Sequence, residues 1–533
     1  MDQLRLDATA AFFSTPALLV VLAYVGYIVW NYRDRRAIGT NRRDDLYAPK
    51  DRTFFLGDLL AMIKNRDRAL DKMLEDLQER DRSEGRAAKR ALSYSLPGRR
   101  IVDVSAPHML EYIQRTNAQN YVKGPIPHKI NEQVLGQGIF NTDQASWHSQ
   151  RKATSKIFTA NNFKGVISQS IDTNMSKLMT IVGRHADAGT TFDLSELLYR
   201  FTLSSFSEMA FGSNFGALST ETDEPVPFAT AFDFAQSILG HRFSNPFWPI
   251  TERLNGTAKK MSEATKTMDD FAYKVIDERE RMGRGNFSGA EKKDAGEKDL
   301  LSLYMSLRDS DGQPMNRKAL RDALMNLIIA GRDTTAQALS WIFFRLLRQP
   351  NLIEPLREEI AEMGEVNYES YKTMVKTLAV VNEGLRLHPS VPRNALTALE
   401  DDQIPNGPRI EKGDRVMWSD YVMGRNTSLW GEDAAEFKPS RWLDEDGQIR
   451  KETQYKAHFF NGGYRHCLGM NLALFEAVTV LASLLKEFDF EFAPDYLDRA
   501  QLADAGLTPR YSASLTLPMA EPLEVVVSRR NRA

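Results

Sequence analysis

Phe460-Asn461-Gly462-Gly463-Tyr464-Arg465-His466-Cys467-Leu468-Gly469 decides how this chain is read, because it holds the only cysteine in 533 residues. A lone thiol cannot form an internal disulfide. A cysteine most often serves as a small buried hydrophobe, but the surroundings here argue against that. Gly462, Gly463 and Gly469 strip side chains from around the sulfur, so the backbone can turn tightly and a large flat partner can approach. Arg465 places a permanent cation close by in the chain. The run from Leu468 to Leu485 is apolar with helical spacing. Cys467 therefore stands near a helix N-terminus, where the dipole favours thiolate over thiol. With no second cysteine, zinc and iron–sulfur sites fit poorly. A haem needs only one axial ligand from the protein.

Three further groups stand out. Trp147 and Arg151, in Asp143-Gln-Ala-Ser-Trp-His-Ser-Gln-Arg-Lys, share one face of a helix. Both are donors and together could receive an anion, although an exposed Arg beside a core Trp is the plainer reading of such a pair. Asn316 to Arg348 is the longest helical stretch, about 50 Å if unbroken. Ala330-Gly-Arg-Asp-Thr-Thr335 interrupts its apolar middle. A glycine there costs about 1 kcal/mol relative to alanine, and an unpaired buried carboxylate costs more, so these residues serve some purpose. Glu383 and Arg386, in Asn382-Glu-Gly-Leu-Arg-Leu-His-Pro389, stand at i and i+3 and can pair. On a surface that pair would be worth little.

The loop reads Phe-x-x-Gly-x-Arg-x-Cys-x-Gly and resembles the haem-binding loop of the cytochrome P-450 family. The other groups follow in the family's order, and the resemblance runs from about residue 45 to the end. It implies a mainly α protein, one large helical domain with small antiparallel β-sheets. It implies haem b, with Cys467 as the axial thiolate on iron and with Phe460 and Arg465 beside it. Trp147 and Arg151 would bind the haem propionates, and Arg393 in Ser390-Val-Pro-Arg-Asn is a further propionate candidate. In the long helix Gly331 would open room beside the iron, Thr334 would hydrogen-bond dioxygen, and Asp333 would pass protons. Glu383 and Arg386 would join Arg441, from Phe437-Lys-Pro-Ser-Arg-Trp442, in a buried structural triad. The implied reaction puts one oxygen atom of O2 into a C–H bond and releases the other as water. Its electrons would come from NADPH through a separate NADPH-cytochrome P-450 reductase.

Ala10 to Trp30 contains no charged residue. As a helix it spans roughly 30 Å, about one bilayer core. Tyr24, Tyr27 and Trp30 lie toward one end and Arg33, Arg35, Arg36, Arg42 and Arg43 follow, the order of interface aromatics and a positive cytoplasmic flank. A cleaved signal peptide would carry its basic residues first. The expectation is a short lumenal end at 1–9, a single transmembrane anchor at 10–30, a basic juxtamembrane linker at 31–45, and a haem-thiolate domain at 46–533. That domain would face the cytoplasm from the endoplasmic reticulum membrane. Lys and Arg number 69 against 71 Asp and Glu, so nothing suggests a nucleic acid partner. One cysteine fits a reducing compartment.

Several smaller elements are also legible. Ser93 to Asp103 reads as a strand pair turning at Leu96-Pro97-Gly98. Thr191 to Phe211 reads as a helix capped by Asp193. Residues 213–250 mix Gly, Pro, Thr and aromatics and read as a lid over the substrate channel. Gly283 to Lys298 reads as a solvated loop within one domain, and Thr508 to Val527 as a closing hairpin.

For substrate, three segments look like the fatty-acid and alkane hydroxylases of fungi and plants: Asn131 to Phe158, Phe192 to Gly212, and Leu515-Thr-Leu-Pro-Met. Those enzymes oxidise a chain at or near its methyl end. An apolar channel would take the chain and a polar entrance its carboxylate. Gln144 and Ser204 stand where that group often has Gly and Asp, and Tyr464 replaces the commoner Pro of the haem loop. The alternative is a hydroxylase of a secondary metabolite or small organic acid in a fungal biosynthetic pathway. A haem sensor or carrier, or a haem-thiolate isomerase or dehydratase that uses no reductase, would have little use for Asp333 and Thr334.

Overall fold

The computed structural model describes residues 15–85, 90–156, 158–159, 162–212, 216–219, 225–285, 299–307, 313–500, 502–503, 508–512 and 514–530. Most of the loop expected at 283–298 lies outside these residues, as do 1–9 and the first part of the expected anchor. What is described of that anchor is α1, Thr15–Asn31, a helix of 17 residues. Among the described residues no helix is long and apolar enough to cross a membrane, so the expected transmembrane helix is not found. The side chains of α1 from Leu18 to Tyr27 are exposed, with Leu19 at 64% and Val20 at 68%. Among the described residues nothing covers them.

Two sheets organise the β part. In the larger, β1 (Ser93–Leu96) and β2 (Arg99–Asp103) form the expected antiparallel pair, with Tyr94 opposite Ile101. Gly98 turns the chain at φ +72°, a conformation that glycine adopts without strain. Along the chain then come β3 (Tyr121–Val122), β4 (Phe192–Asp193), which belongs to the smaller sheet, β5 (Asn394–Ala398) and β6 (Arg415–Trp418). The sheet expected to be antiparallel is mixed, because β2 and β6 run parallel with Ile101 opposite Arg415. The long intervening chain makes that crossover possible. β5 pairs antiparallel with β6 and, on its other edge, with β3. Val102, Leu396 and Val416 pack on one face, while Tyr94, Leu96 and Ile101 pack on the other.

The smaller sheet corrects the expected hairpin. β8 (Glu524–Arg529) pairs not with the segment just before it but with β7 (Phe488–Phe492) and, through Val525 and Phe192, with β4. Among the described residues a single bridge, Tyr511 to Met519, links the arms of the expected turn. Pro518 and Pro522 lack the N–H groups that a ladder needs there.

The helices form the body. α2 (Ala69–Glu84) covers one face of the larger sheet. α3 (Pro125–Leu135), α4 (Gln144–Thr154) and α5 (Leu194–Phe211) follow. Asp193 caps α5 as expected, its carboxylate accepting from Ser195 N at 2.8 Å. The stretch read as a lid contains a regular helix, α6 (Pro227–Ser244), with Phe228 and Phe232 buried in the main core. The long helix is continuous in course but not in winding. Asn316 caps α7 (Arg317–Ile328), a π turn runs from Ile329 to Asp333, and α8 (Thr334–Arg348) completes it. α8 is central, packed against α5, α9 (Val375–Leu387) and α10 (Met470–Glu487).

One ion pair fastens α9 to the chain that leads to the cysteine loop. Glu383 is fully buried and Arg386 is 2% exposed. Arg386 donates to both carboxylate oxygens at 2.7 and 2.8 Å. Trp442 Nε1 and Lys438 N donate at 2.9 and 2.7 Å, and Arg441 Nε stands at 3.5 Å. The remaining guanidinium protons of Arg386 go to the carbonyls of Gly424, Ala434 and Glu436. Every charged atom has partners, the condition under which a buried pair can be tolerated. Glu383→Ala is expected to cost about 3–5 kcal/mol, because it strands a buried guanidinium. Urea denaturation followed by circular dichroism measures this, and a loss near zero would mean that the pair is not holding α9.

Candidate active site

The cysteine loop begins at Phe460, which packs at the edge of the main core against Phe459. The Cys467 amide donates to the Phe460 carbonyl at 2.8 Å and closes the loop. Gly463 has φ +58°, and a Cβ on it or on Gly462 would run into Gln114. Those two glycines therefore serve loop packing, not the approach of a partner. Only Gly469 leaves room at the sulfur, whose Sγ lies 3.9 Å from its Cβ position. Tyr464, which replaces the commoner proline, is 60% exposed, so most of its bulk lies outside the loop packing. α10 starts at Met470, as the apolar run predicts.

Cys467 is exposed, yet burial pushes its thiol up. Its sulfur is accessible, while the protein packed around the loop disfavours the charge. The Gly469 and Met470 amides and Arg151 pull the other way, toward thiolate. Burial outweighs them, so the helix terminus alone does not make a thiolate here. A cation on the sulfur would.

Next to this loop sits a group of cations with too few acids. Trp147, on α4, is buried. Arg465 stacks over its ring at 4.2 Å and Arg151 at 5.5 Å. Arg151 donates to the His466 carbonyl at 2.6 Å, tying α4 to the cysteine loop. Lys123, just after β3, is pushed down to about 7 by burial first and then by Arg465. Asp143 is the carboxylate among them. It pairs with Arg465 at 2.9 Å and accepts from Lys123 N at 2.9 Å. Placing that aspartate costs backbone strain, since Gln144 takes φ +50° where a glycine would sit freely. An accessible thiol with amide donors at its sulfur, beside three cations and one acid, fits an iron porphyrin with two propionates.

The structure brings Trp147, Arg151, Arg465 and Cys467 together. Arg393 precedes β5, where Tyr511 and Arg415 are its charged or polar neighbours. Asp333 and Thr334 adjoin at the π turn but point differently. Thr334 Oγ1 donates to the Ala330 carbonyl at 2.7 Å. Asp333 is 1% exposed and accepts from Arg332 at 2.9 Å and from Gln236 of α6 at 2.6 Å. Burial raises its carboxyl, against the pull of Arg332. Arg332 also pairs with Asp233 of α6, at 2.9 Å through Nη2. Gly331 does not open room beside the cysteine loop, because the Phe206 ring occupies the place its Cβ would take.

Sequence reading missed four of these residues. Lys123 looks like any surface lysine ahead of Gly-Pro. Asp233 and Gln236 lay in the stretch read as a lid. Glu476 carried a signal that went unused, a lone charge inside an apolar helical run. It is 3% exposed and accepts from Ser205 Oγ at 2.5 Å.

Residues 53–515 match the Cytochrome P-450 family. The chain belongs to that family: it is a haem-thiolate monooxygenase, an oxidoreductase that works with O2, a redox-partner reductase and hydrophobic substrates. The family holds its haem through a cysteine thiolate, and this chain has one cysteine. It is 40% identical over 516 residues to cytochrome P-450 monooxygenase cyp1 of Mycosarcoma maydis, a match spanning 95% of this chain and 78% of that protein. It is 31% identical over 513 residues to cytochrome P-450 704B1 of Arabidopsis thaliana, spanning 89% and 94%. With cytochrome P-450 86B1 of the same plant the identity is 35% over 403 residues, spanning 72% and 71%.

Glu476 links α10 to α5 and α8 and gives a pH test. Burial, opposed by the Ser205 and Thr335 hydroxyls, raises its carboxyl from 4.5 to about 7. A raised value means that its contribution to stability is complete below about 4.5 and is lost as pH rises through about 7. Glu476→Gln removes that loss. The variant should gain up to about 3 kcal/mol on wild type between pH 5 and pH 8. A stability difference that stays flat across that range, in paired thermal unfolding curves, would mean that the carboxyl titrates normally.

Proposed function

We propose that this enzyme hydroxylates a long-chain fatty acid or alkane at or near its methyl end. The observation that carries the site reading is the lone Cys467 beside the cations around Trp147. When bound, the haem activates O2, so that one oxygen atom enters a C–H bond and the other leaves as water. In this reading the Cys467 sulfur ligates the iron, and Phe460 packs beside it. Arg151, Arg465 and the Trp147 indole N–H take the propionates, joined by Lys123, and Arg393 takes a propionate oxygen from the side of β5. Glu383, Arg386 and Arg441 are structural.

Thr334 Oγ1 holds a proton near the reacting centre, and Asp333 moves protons to it from the α6 side. To do so Asp333 must trade its bond from Gln236 for one to water or to Thr334. The turn at Leu515–Met519 closes the site by bonding to α8. Trp341 Nε1 donates to the Leu517 carbonyl at 2.8 Å, and Gln337 donates to Thr516 at 2.8 Å. Electrons come from NADPH-cytochrome P-450 reductase. The exposed apolar surface of α1 supports a membrane anchor over residues 10–30, with 31–45 as its linker, in the endoplasmic reticulum and with the catalytic body in the cytoplasm. The substrate rests on the likeness of residues 131–158, 192–212 and 515–519 to fatty-acid and alkane hydroxylases.

Ferric protein titrated with a saturated fatty acid should move from low to high spin, while Cys467→Ala should lose all haem-dependent turnover. A spectrum indifferent to fatty chains would send the substrate to the secondary-metabolite or small-acid class. Thr334→Ala should keep binding its substrate but divert NADPH from product. An unchanged ratio of product to NADPH would remove Thr334 from proton handling.

A further inference from the structure

The π turn at Ile329–Asp333 interrupts a helix that is regular on both sides. Such winding is rare and passes over a carbonyl that α winding would engage, so it needs donors from outside the main-chain ladder. It also fixes direction. The turn holds one residue more than an α turn, so relaxing it would rotate the chain before it by about 100° against the chain after it. Asp333 takes its bond from Gln236 of α6, and Thr334 opens α8. How these two residues face each other therefore depends on the turn.

Three carbonyls along this stretch take hydroxyl donors. Ala330 takes the Thr334 hydroxyl at 2.7 Å, Arg332 takes the Thr202 hydroxyl of α5 at 2.9 Å, and Thr334 takes the Ser390 hydroxyl, just beyond α9, at 2.7 Å. The first bond is made within the helix. The other two come from residues 130 and 56 positions away in the chain. Thr202 is fully buried and Ser390 is 6% exposed.

A threonine inside a helix ordinarily returns its proton to its own i−4 carbonyl. Here the Leu198 and Tyr199 carbonyls stand at 3.1 and 3.2 Å, and both already belong to the α5 ladder. The Arg332 carbonyl is closer. The rest of that α5 face is fitted to the same turn, with Thr202, Ser205 and Phe206 at i, i+3 and i+4. The Phe206 ring fills the place of a Gly331 Cβ. Ser205 donates to Glu476, which also takes the Thr335 hydroxyl. α5 thus meets Gly331, Arg332 and, through Glu476, Thr335 in succession.

We propose that Thr202 and Ser390 are positioning residues for oxygen activation: their hydroxyls hold the π turn, and the turn keeps Asp333 and Thr334 in the relation that proton delivery needs. Both act through the turn and not on the reacting atoms. The inference rests on the proton-handling reading of Asp333 and Thr334 and adds to it the groups that hold those two in register.

The test compares Thr202→Val, Thr202→Ser and Ser390→Ala with wild type and with Thr334→Ala, all as full-length holoenzyme. Two quantities are read: amide hydrogen exchange over residues 329–335, and the ratio of product to NADPH consumed with palmitate as substrate. Thr202→Val and Ser390→Ala should each speed exchange about five-fold, the loss of one hydrogen bond, and lower the ratio by up to a similar factor. Haem content and palmitate affinity should stay as in wild type, and Thr202→Ser should restore both readouts. Unchanged exchange would overturn the proposal, and so would faster exchange with an unchanged ratio. Thr202→Ser as impaired as Thr202→Val would make Thr202 a packing residue and overturn its part. If Thr334→Ala lowers the ratio and the other variants do not, the inference alone fails. If Thr334→Ala leaves it unchanged, the proton-handling reading fails and takes the inference with it. Wild type that makes no product from palmitate would remove the fatty-chain reading, and exchange would then decide whether the hydroxyls hold the turn.

Discussion

The Glu383 carboxylate is the most demanding group in the molecule, and the cysteine loop depends on how it is satisfied. A buried anion of this kind needs every lone pair engaged. Arg386, Trp442 and the Lys438 amide engage them, and in doing so bind the 433–442 segment to α9. From there a line of contacts reaches the sulfur. Trp442 meets Phe459 edge-on at 5.9 Å, Phe459 meets Phe460 at 5.5 Å, and the Phe460 carbonyl accepts the Cys467 amide. A group that touches neither substrate nor cofactor thus sets where the sulfur stands.

The charges elsewhere divide into two kinds. Arg386 is buried and saturated by a carboxylate and carbonyls, Arg332 is buried between the carboxylates of Asp233 and Asp333, and both serve cohesion between helices. Lys123, Arg465 and Arg415 are held below their usual values because protein surrounds them with too little negative charge. The first kind is balanced within the chain itself. The second kind is unfavourable in the folded chain alone and becomes favourable with an anion in reach.

Much of this was legible in the sequence because it depends on local chemistry. The lone cysteine among glycines, the i,i+3 pair at Glu383, the Asp193 cap and the Leu96-Pro97-Gly98 turn each declare themselves within a few residues. What was not legible depends on approach between distant segments. Gly331 reads as space, but only the fold reveals that Phe206 fills it. Val525 reads as one arm of a hairpin, but its partners are Phe492 and Phe192. Lys123 has no signature until Arg465 and Asp143 come beside it from far along the chain. The π turn at Ile329–Asp333 appears in the sequence only as a glycine and polar residues in an apolar helix. That pattern announces a departure from regular winding without saying which.

The bond from Arg151 to the His466 carbonyl spans 315 residues. At roughly 5–20 residues per second of synthesis, on the order of fifteen seconds to a minute separates these two parts on the ribosome. During that interval Lys123 and Arg151 already exist while the loop that completes their site does not. β2 likewise waits for β6. The emerging chain therefore carries a cationic hollow and an open sheet edge for much of its synthesis. The prosthetic group can be gripped from both sides only after nearly the whole polypeptide has left the exit tunnel.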